Sequence, residues 1–93
     1  MTDCAEMLKA LSDSTRLKVV RLLVDRPCHV SEINERIGKI DQSLLSHHLK
    51  VLRDSGIVEA ERDGKAVLYR LTSSIRARTR ARGIDFGCCK LLF

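Results

Sequence analysis

The sequence predicts a small, mainly α-helical domain that carries a β-hairpin, and three observations lead to this prediction. Helix-capping residues precede several stretches whose apolar residues recur at helical spacing. A short turn containing Gly38 joins the last two of the predicted helices. Directly after them, two segments rich in β-forming residues flank Asp63-Gly64-Lys65, a strong hairpin signal. This order of elements is that of a winged helix-turn-helix, in which the hairpin is the wing.

The first two helices are predicted from their caps and from one apolar stripe. Thr2 or Asp3 caps a short helix over residues 6–11, and Asp13-Ser14-Thr15 supplies the cap of a second helix. The apolar stripe of the second helix consists of Leu17, Val20, Leu23 and Val24. Pro27 ends this helix, because proline disfavours the α conformation in the residue before it.

The third helix follows a short extended segment, Cys28-His29-Val30. Ser31 is predicted to cap a helix over residues 32–37, and Gly38 ends it in the position that favours a left-handed backbone. Asp41 then caps a fourth helix that runs to residue 55. The wing is predicted over residues 57–62 and 66–71.

The fourth helix has two chemically different faces. At about 100° per residue, three leucines fall on one face: Leu45, Leu49 and Leu52. His48 lies at the edge of this apolar face and is predicted to be packed. The opposite face carries Ser43, Ser46, His47 and Lys50. Hydroxyl and imidazole groups can contact base edges or phosphates, and small side chains let a helix enter a major groove.

We therefore predict that the fourth helix contacts DNA. The candidate DNA-binding residues are Gln42, Ser43, Ser46, His47 and Lys50, with Lys65 in the wing. For an arbitrary helix a merely solvated polar face is the usual interpretation. The position of this helix, between a short turn and a hairpin, favours DNA binding instead.

The net charge of +5 is unevenly distributed along the chain. Residues 1–69 contain 11 basic and 11 acidic side chains, whereas residues 70–93 contain six basic side chains and one acidic side chain. A basic domain is typical of proteins that bind nucleic acid or another polyanion. Here the excess charge lies in the last quarter of the chain, so the predicted DNA-binding helix does not depend on bulk charge.

Three segments resemble the ArsR/SmtB family of metal-responsive and metalloid-responsive repressors. Residues 42–58, QSLLSHHLKVLRDSGIV, resemble the DNA-reading segment of that family, and residues 11–17, LSDSTRL, resemble the opening of its second helix. Asp63-Gly64-Lys65, with Tyr69 and Leu71, resembles its wing. The resemblance covers roughly residues 5–72. It implies a homodimeric repressor that binds an imperfect inverted repeat in double-stranded DNA and releases it when an ion binds.

The end of the chain departs from this family. We expect residues 1–72 to form the winged helix-turn-helix DNA-binding domain, and residues 73–93 to be a basic, cysteine-bearing extension rather than an independent domain. The family's fifth helix carries a zinc site of Asp and His residues, but no His follows Leu71 here. Arginine at every second position from 76 to 82 would face one way on a strand. We favour two strands that turn at Arg82-Gly83, with a short helix over residues 73–81 as the alternative.

Four cysteines are the candidate ligands for a regulatory ion. In a cytoplasmic protein they are thiols by default, which favours metal binding or redox chemistry over a disulfide framework. Adjacent thiols such as Cys88-Cys89 suit As(III) or Sb(III), which take three thiolates, and also Zn, Cd or Cu(I). Some arsenic-responsive members of the family carry such a pair near one terminus. The alternative is that these cysteines are small buried hydrophobic residues.

Cys28 and Cys4 are the remaining candidate ligands. In the stretch that resembles the family's third-helix metal signature, His29 occupies the usual position of the first cysteine and Cys28 precedes it. This departure argues against the family's usual site there. Cys4 is a third ligand contributed by the partner subunit, or it has no role.

The composition narrows the class of protein and its location. With 44% hydrophobic and 31% charged residues, the chain is neither disordered nor of low complexity. Its apolar runs are far shorter than a membrane span, and its first residues are not those of a secretory signal. We therefore expect a cytoplasmic protein without a membrane partner. Its small core of Leu, Ile and Val is typical of domains that dimerise.

The sequence thus predicts a DNA-binding transcriptional repressor that releases its operator when As(III) or Sb(III) binds cysteine thiolates. The alternatives are a switch by Zn, Cd or Cu(I), or by cysteine oxidation. A winged helix that binds only protein is a further alternative. We expect neither an enzyme nor an organic cofactor, because the histidines have no nucleophile–base motif around them.

Overall fold

The computed structural model describes residues 4–79 and 82–93, and its element order is that of a winged helix-turn-helix. The five helices are α1 (Cys4–Ala10), α2 (Ser14–Asp25), α3 (Val30–Ile37), α4 (Gln42–Asp54) and α5 (Ser73–Arg78). The five strands are β1 (Cys28–His29), β2 (Val58–Asp63), β3 (Ala66–Leu71), β4 (Gly83–Asp85) and β5 (Lys90–Leu92). The predicted mainly helical fold with a hairpin wing is therefore confirmed.

Aspartate side chains begin the two longest helices, as predicted. Asp13 accepts hydrogen bonds from the backbone N–H groups of Thr15 and Arg16, at 2.8 and 3.1 Å. Asp41 accepts in the same way from Ser43 and Leu44, at 3.1 and 3.3 Å. Each carboxylate satisfies N–H groups that have no partner inside their own helix. The predicted cap at Thr2 or Asp3 lies outside the described residues.

The predicted cap at Ser31 is wrong. Helix α3 begins at Val30, its N-cap is the extended residue His29, and Ser31 is an exposed residue of its first turn. The physical reason is a strand pairing between residues that are distant in the sequence. Strand β1 pairs with β3, Cys28 opposite Tyr69 and His29 opposite Leu68, so the backbone is held extended as far as His29 and turns directly into the helix.

Asn34 fixes the turn between α3 and α4. Its side-chain Oδ1 accepts a hydrogen bond from Ile40 N at 2.9 Å, and its Nδ2 donates to Ile40 O at 3.4 Å. Its backbone carbonyl accepts from Lys39 N at 2.8 Å. Gly38 ends α3 with φ of 103°, as predicted, and Lys39 follows with φ of 54°. These contacts set the path of the turn, and thereby the orientation of α4 relative to α3.

The wing is a tight hairpin in a three-stranded sheet of order β1-β3-β2. Its register pairs Asp63 with Ala66, which leaves Gly64-Lys65 as a two-residue turn. Gly64 has φ of 64°, the left-handed conformation that such a turn requires. The predicted hairpin is therefore confirmed, with its exposed tip at Lys65.

The C-terminal segment contains both a short helix and two strands. The favoured strand is wrong at residues 75–78, because α5 ends only at Arg78 and buries Ile75 at 2% exposure. The alternative, a short helix over residues 73–81, is confirmed over residues 73–78, and residues 80–81 lie outside the described residues. The prediction of extended backbone is confirmed nearer the C-terminus, where β4 pairs with β5 in a second sheet. The hairpin turns at residues 86–89 rather than at Arg82-Gly83. Gly83 lies within β4, where a Cβ atom would clash with the carbonyl oxygen of Leu91.

One hydrophobic core includes residues from both ends of the chain. Helix α4 contributes its three predicted leucines, which are at most 2% exposed. From the C-terminal segment, Ile75, Ile84 and Phe86 belong to the same core. The C-terminal segment thus packs against the helices rather than forming a core of its own. None of the helices in the described part of the chain has the length and hydropathy of a membrane-spanning segment.

Candidate functional site

The six predicted DNA-binding side chains are all exposed: Gln42, Ser43, Ser46, His47, Lys50 and Lys65. Burial of Leu45, Leu49 and Leu52 on the opposite side of α4 turns the polar face outward. His48 is 7% exposed, so the prediction that it is packed is confirmed. That the exposed face contacts DNA stays a prediction.

A groove runs between the wing and the helix-turn-helix. Gln42 and Ser46 of α4 line it, together with Lys65 at the wing tip and Ser31 and Asn34 of α3. Donors and acceptors from three elements therefore converge on one concave surface. Such a surface can contact a nucleic-acid backbone and base edges together.

Neighbouring carboxylates partly compensate the charges of this surface. Lys50 Nζ lies 2.8 Å from Asp54 Oδ2 one turn along α4, and this hydrogen bond lowers the pKa of Asp54. His29 Nε2 lies 2.8 Å from Asp63 Oδ2 and connects the start of α3 to the wing. The positive charge of Lys65, in contrast, has no ion-pair partner among residues 4–79 and 82–93.

His48 connects α4 to the start of α2. Its Nδ1 is buried, has no hydrogen-bond partner among the described residues, and lies 3.9 Å from Asp13 Oδ1. The pKa of Asp13 is lowered, first by the hydrogen bond from Arg16 N and also by the electrostatic influence of His48. His48 therefore has a packing role at the α2–α4 contact.

Three cysteines form a cluster within one chain: Cys4, Cys88 and Cys89. Their sulfur atoms all lie within 4.8 Å of one another. Cys4 and Cys88 form a disulfide with a Cα–Cα distance of 6.3 Å, and Cys89 Sγ lies 3.2 Å from Cys4 Sγ. The cluster joins the first residue of α1 to the turn of the C-terminal hairpin.

Local contacts shape the turn that carries Cys88 and Cys89. Phe86 is 6% exposed, and its N–H donates to the carbonyl of Cys89 at 2.9 Å. Gly87 has φ of 91°, and its N–H donates to Asp85 Oδ1 at 2.8 Å. The buried phenylalanine and the left-handed glycine direct both cysteines toward α1. Cys88 is left exposed, whereas Cys89 and Cys4 are half-buried.

The donor set of this cluster matches the chemistry of soft ions. Three thiols that can converge on one point provide the trigonal all-sulfur coordination that As(III) and Sb(III) take, and thiolates also bind Zn, Cd or Cu(I). A disulfide removes two of the three thiolates. Ion binding to all three sulfurs and the Cys4–Cys88 bond therefore exclude each other.

The structure does not bring Cys28 into this cluster. Cys28 is 3% exposed, its Sγ donates to the carbonyl of Arg26 at 3.5 Å, and burial raises the pKa of its thiol. A buried thiol with a raised pKa behaves as a small hydrophobic residue. The neighbouring His29 is engaged with Asp63 instead.

No sequence pattern assigned a site role to Ser31 and Asn34, which line the groove, or to Arg78, which lies against Gly87 in the turn that carries Cys88 and Cys89. Asn34 was detectable in principle, because an amide inside a short helix just before a glycine stop often bonds to the following turn. Ser31 was interpreted as a cap rather than as a groove residue. Arg78 lies against Gly87 only because the hairpin folds back on α5, which no local pattern indicates.

Comparison with known proteins agrees with this architecture. The family model for bacterial regulatory proteins of the arsR family matches residues 13–60. A biofilm growth-associated repressor of Xylella fastidiosa is 45% identical over 76 residues, which cover 82% of this chain and 66% of that repressor. The chain thus spans slightly less than two thirds of that relative's length.

Solved structures agree as well. The crystal structure of the transcriptional repressor BigR from Xylella fastidiosa matches with a TM-score of 0.70 and 46% identity, over 80% of this chain and 74% of BigR. The homodimeric winged helix-turn-helix DNA-binding domain of a possible ArsR-family regulator from Mycobacterium bovis matches with a TM-score of 0.71 and 32% identity, over 80% and 68%. The chain therefore belongs to the arsR family of bacterial regulatory proteins.

Proposed function

We propose that this chain is a DNA-binding transcriptional repressor that releases its operator when As(III) or Sb(III) binds the thiolates of Cys4, Cys88 and Cys89. The observation that carries the proposal is the three-sulfur cluster, with all sulfur atoms within 4.8 Å of one another. The donors are soft and three in number, which suits a trigonal ion better than one that takes four ligands.

The surface that contacts DNA in this proposal is the exposed face of α4 together with the wing. Ser46 and Gln42 of the groove contact base edges, while the exposed Lys50 and Lys65 contact phosphates. The family relative from Mycobacterium bovis is described as homodimeric. By analogy, two copies of this chain would present two such helices to an imperfect inverted repeat in double-stranded DNA.

Helix α1 is the physical connection between the ion site and the DNA-binding face. It begins at Cys4, buries Ala10 in the core, and lies against the second half of α4. Glu6 and Lys9 line one side of the α1–α4 groove, and Val51 and Asp54 line the other. An ion held between α1 and the C-terminal hairpin biases the position of α1. Because α1 lies against α4, the bound ion therefore favours orientations in which the α4 helices of the two subunits no longer fit successive major grooves.

The test begins with the fully reduced protein and a DNA duplex selected by that protein from a random pool. As(III) is titrated into the complex while DNA binding is followed by fluorescence anisotropy. We expect affinity to fall at least tenfold at saturating As(III) for the wild type, and to remain unchanged for the Cys4→Ser, Cys88→Ser and Cys89→Ser variants.

The matched control is Cys28→Ala, which removes a thiol outside the cluster. It should respond to As(III) as the wild type does. X-ray absorption of the loaded protein should find three sulfurs around each arsenic. Undiminished DNA binding at saturating As(III), or release that survives in all three serine variants, would refute the proposal. The same titration with Zn, Cd and Cu(I) identifies which ion is effective.

The Cys4–Cys88 disulfide favours one second candidate, in which oxidation of the same cysteines replaces ion binding as the switch. Both candidates keep the same DNA-binding surface. The two candidate switches are distinguished by treating reduced protein with peroxide in the absence of metal. If oxidation is the switch, peroxide takes two electrons and is reduced to water, the protein mass falls by two hydrogen atoms per disulfide, and DNA affinity changes at the same time. In that case As(III) has no effect on DNA binding.

A further inference from the structure

An open, shallow cavity lies beside the two cysteines of the C-terminal turn. Its lining residues are Arg78, Asp85, Gly87, Cys88, Cys89 and Lys90. It therefore combines the exposed half of the Cys4–Cys88 disulfide with two cationic side chains. Neither the DNA-binding surface nor the ion-binding proposal uses these cations.

The charge of this cavity is positive. Arg78 lies with its guanidinium against Gly87, so close that a Cβ atom at Gly87 would clash with Nη1. Among the described residues, the ion pairs do not include Arg78. Asp85 is the one carboxylate of the lining, and it already accepts from Gly87 N and lies 4.0 Å from Lys90 Nζ. A dissolved anion near Cys88 is therefore attracted more than it is repelled.

The two cysteine residues of the disulfide differ in exposure. Cys88 is exposed on the cavity side, whereas Cys4 is half-buried at the start of α1. An external nucleophile therefore reaches Cys88 first and displaces Cys4. The attacking species in thiol–disulfide exchange is a thiolate, which is itself an anion.

We propose that this cavity is a docking site for an anionic low-molecular-weight thiol that reduces the Cys4–Cys88 disulfide. The thiolate attacks Cys88 Sγ, the Cys4–Cys88 bond breaks, and Cys4 leaves as a thiolate that takes a proton from water. A second molecule of the same thiol attacks the small-molecule sulfur of the mixed disulfide. That step releases Cys88 as a thiolate and the small molecule as its own disulfide, so two thiols supply the two electrons.

Arg78 and Lys90 hold the carboxylates of the small thiol and stabilise its thiolate in the approach to Cys88. Reduction restores all three thiols of the cluster. This restoration of the three thiols matters only if the proposed function is correct, because only an ion-binding cluster requires all three thiols to be reduced. The docking step itself does not depend on DNA or on a metal.

The test compares three small thiols that differ in charge: mercaptosuccinate (anionic), 2-mercaptoethanol (neutral) and cysteamine (cationic). Reduction of the oxidised protein is followed by timed alkylation and mass spectrometry, with each rate corrected for the thiol pKa. We expect the ratio of the mercaptosuccinate rate to the 2-mercaptoethanol rate to fall about three- to tenfold in an Arg78→Gln/Lys90→Gln double variant. The cysteamine ratio should rise, and wild-type selectivity should weaken with added salt.

The matched control is Arg62→Gln, which removes an exposed arginine on the wing. Its rate ratios should equal those of the wild type. A change in the accessibility of the turn alters all three rates alike, so the ratios report charge alone. Equal ratios in the wild type and the double variant would overturn the proposal. Because no DNA or ion is present, that failure is distinguishable from a failure of As(III) to release DNA.

Discussion

The helix-turn-helix and the C-terminal hairpin share one core but are held in it by different means. Helix α4 buries three leucines at 2% exposure or less, so apolar packing fixes its orientation. The hairpin buries Ile84 and Phe86, and its turn is joined to α1 through the Cys4–Cys88 disulfide. The surface proposed to contact DNA is therefore held by packing, and the proposed sensor is held by a bond that chemistry can make and break.

This difference indicates where regulation can act. A packed leucine stripe has no chemical state that a cell can change, whereas a cysteine cluster has several. The excess of positive charge belongs to the same C-terminal part of the chain, and two of its cations, Arg78 and Lys90, line the cavity beside Cys88 and Cys89. Changes in the packed region, helix α4, should therefore affect stability whatever the redox state, whereas changes in the bonded region, α1 and the C-terminal hairpin, should depend on the disulfide.

The largest effect is expected in the packed region. Leu49→Ala should lower the free energy of unfolding by about 3–5 kcal/mol, because it deletes buried methyl groups and leaves a cavity at a site that is 2% exposed. Urea unfolding of the reduced protein measures this loss. His47→Ala on the exposed face of the same helix is the control, and its change should stay within about 0.5 kcal/mol. Equal losses in both variants would contradict the leucine core.

The stabilisation that the bonded region provides should depend on whether the Cys4–Cys88 disulfide is formed. Oxidised wild type should exceed reduced wild type by about 2–4 kcal/mol in free energy of unfolding, because the bond closes a loop between residues 84 positions apart. Cys4→Ser should abolish this difference. Cys89→Ser is the matched control, since it keeps the disulfide, and should retain the difference. A redox effect that persists in Cys4→Ser would show that another pair of thiols is responsible.

The cap at Asp13 should produce a smaller effect, and one that depends on pH. The pKa of Asp13 is lowered in the folded state from its ordinary value of 3.8. Its contribution is therefore present above about pH 4 and is lost as the pH falls through the lower folded value. Asp13→Ala should cost about 0.5–2 kcal/mol at pH 7 and less at pH 3. Urea midpoints at both pH values test this, and an equal cost at both would contradict it.

The smallest change in stability should accompany a specific change in DNA binding. Lys65→Gln at the wing tip should alter the free energy of unfolding by less than about 0.5 kcal/mol. It should also reduce the slope of log affinity against log salt by about one, because one phosphate contact is lost. Lys90→Gln, in the C-terminal hairpin, is the matched control and should leave the slope unchanged. Equal slopes in both variants would contradict the assignment of Lys65 to the DNA-binding surface.

Much of the winged helix-turn-helix is predictable because its signals are local. Asp13 and Asp41 bond to N–H groups two and three residues further on, and Gly38 and Gly64 adopt the left-handed backbone that their turns require. The leucine stripe of α4 follows from helical periodicity alone. Each of these features depends on residues within about one helical turn, so a short stretch of sequence contains the relevant physics.

The sequence by itself also determined that the chain carries a pair of adjacent thiols near a basic segment. Only the tertiary structure decided what lies next to them. Cys4 reaches Cys88 across 84 positions because α1 and the hairpin turn pack on the same core, and no local pattern encodes that encounter. The same cause explains two of the wrong predictions. Pairing of β1 with β3 moved the start of α3 to Val30, and burial of Ile75 favoured a helix where alternating arginines had indicated a strand.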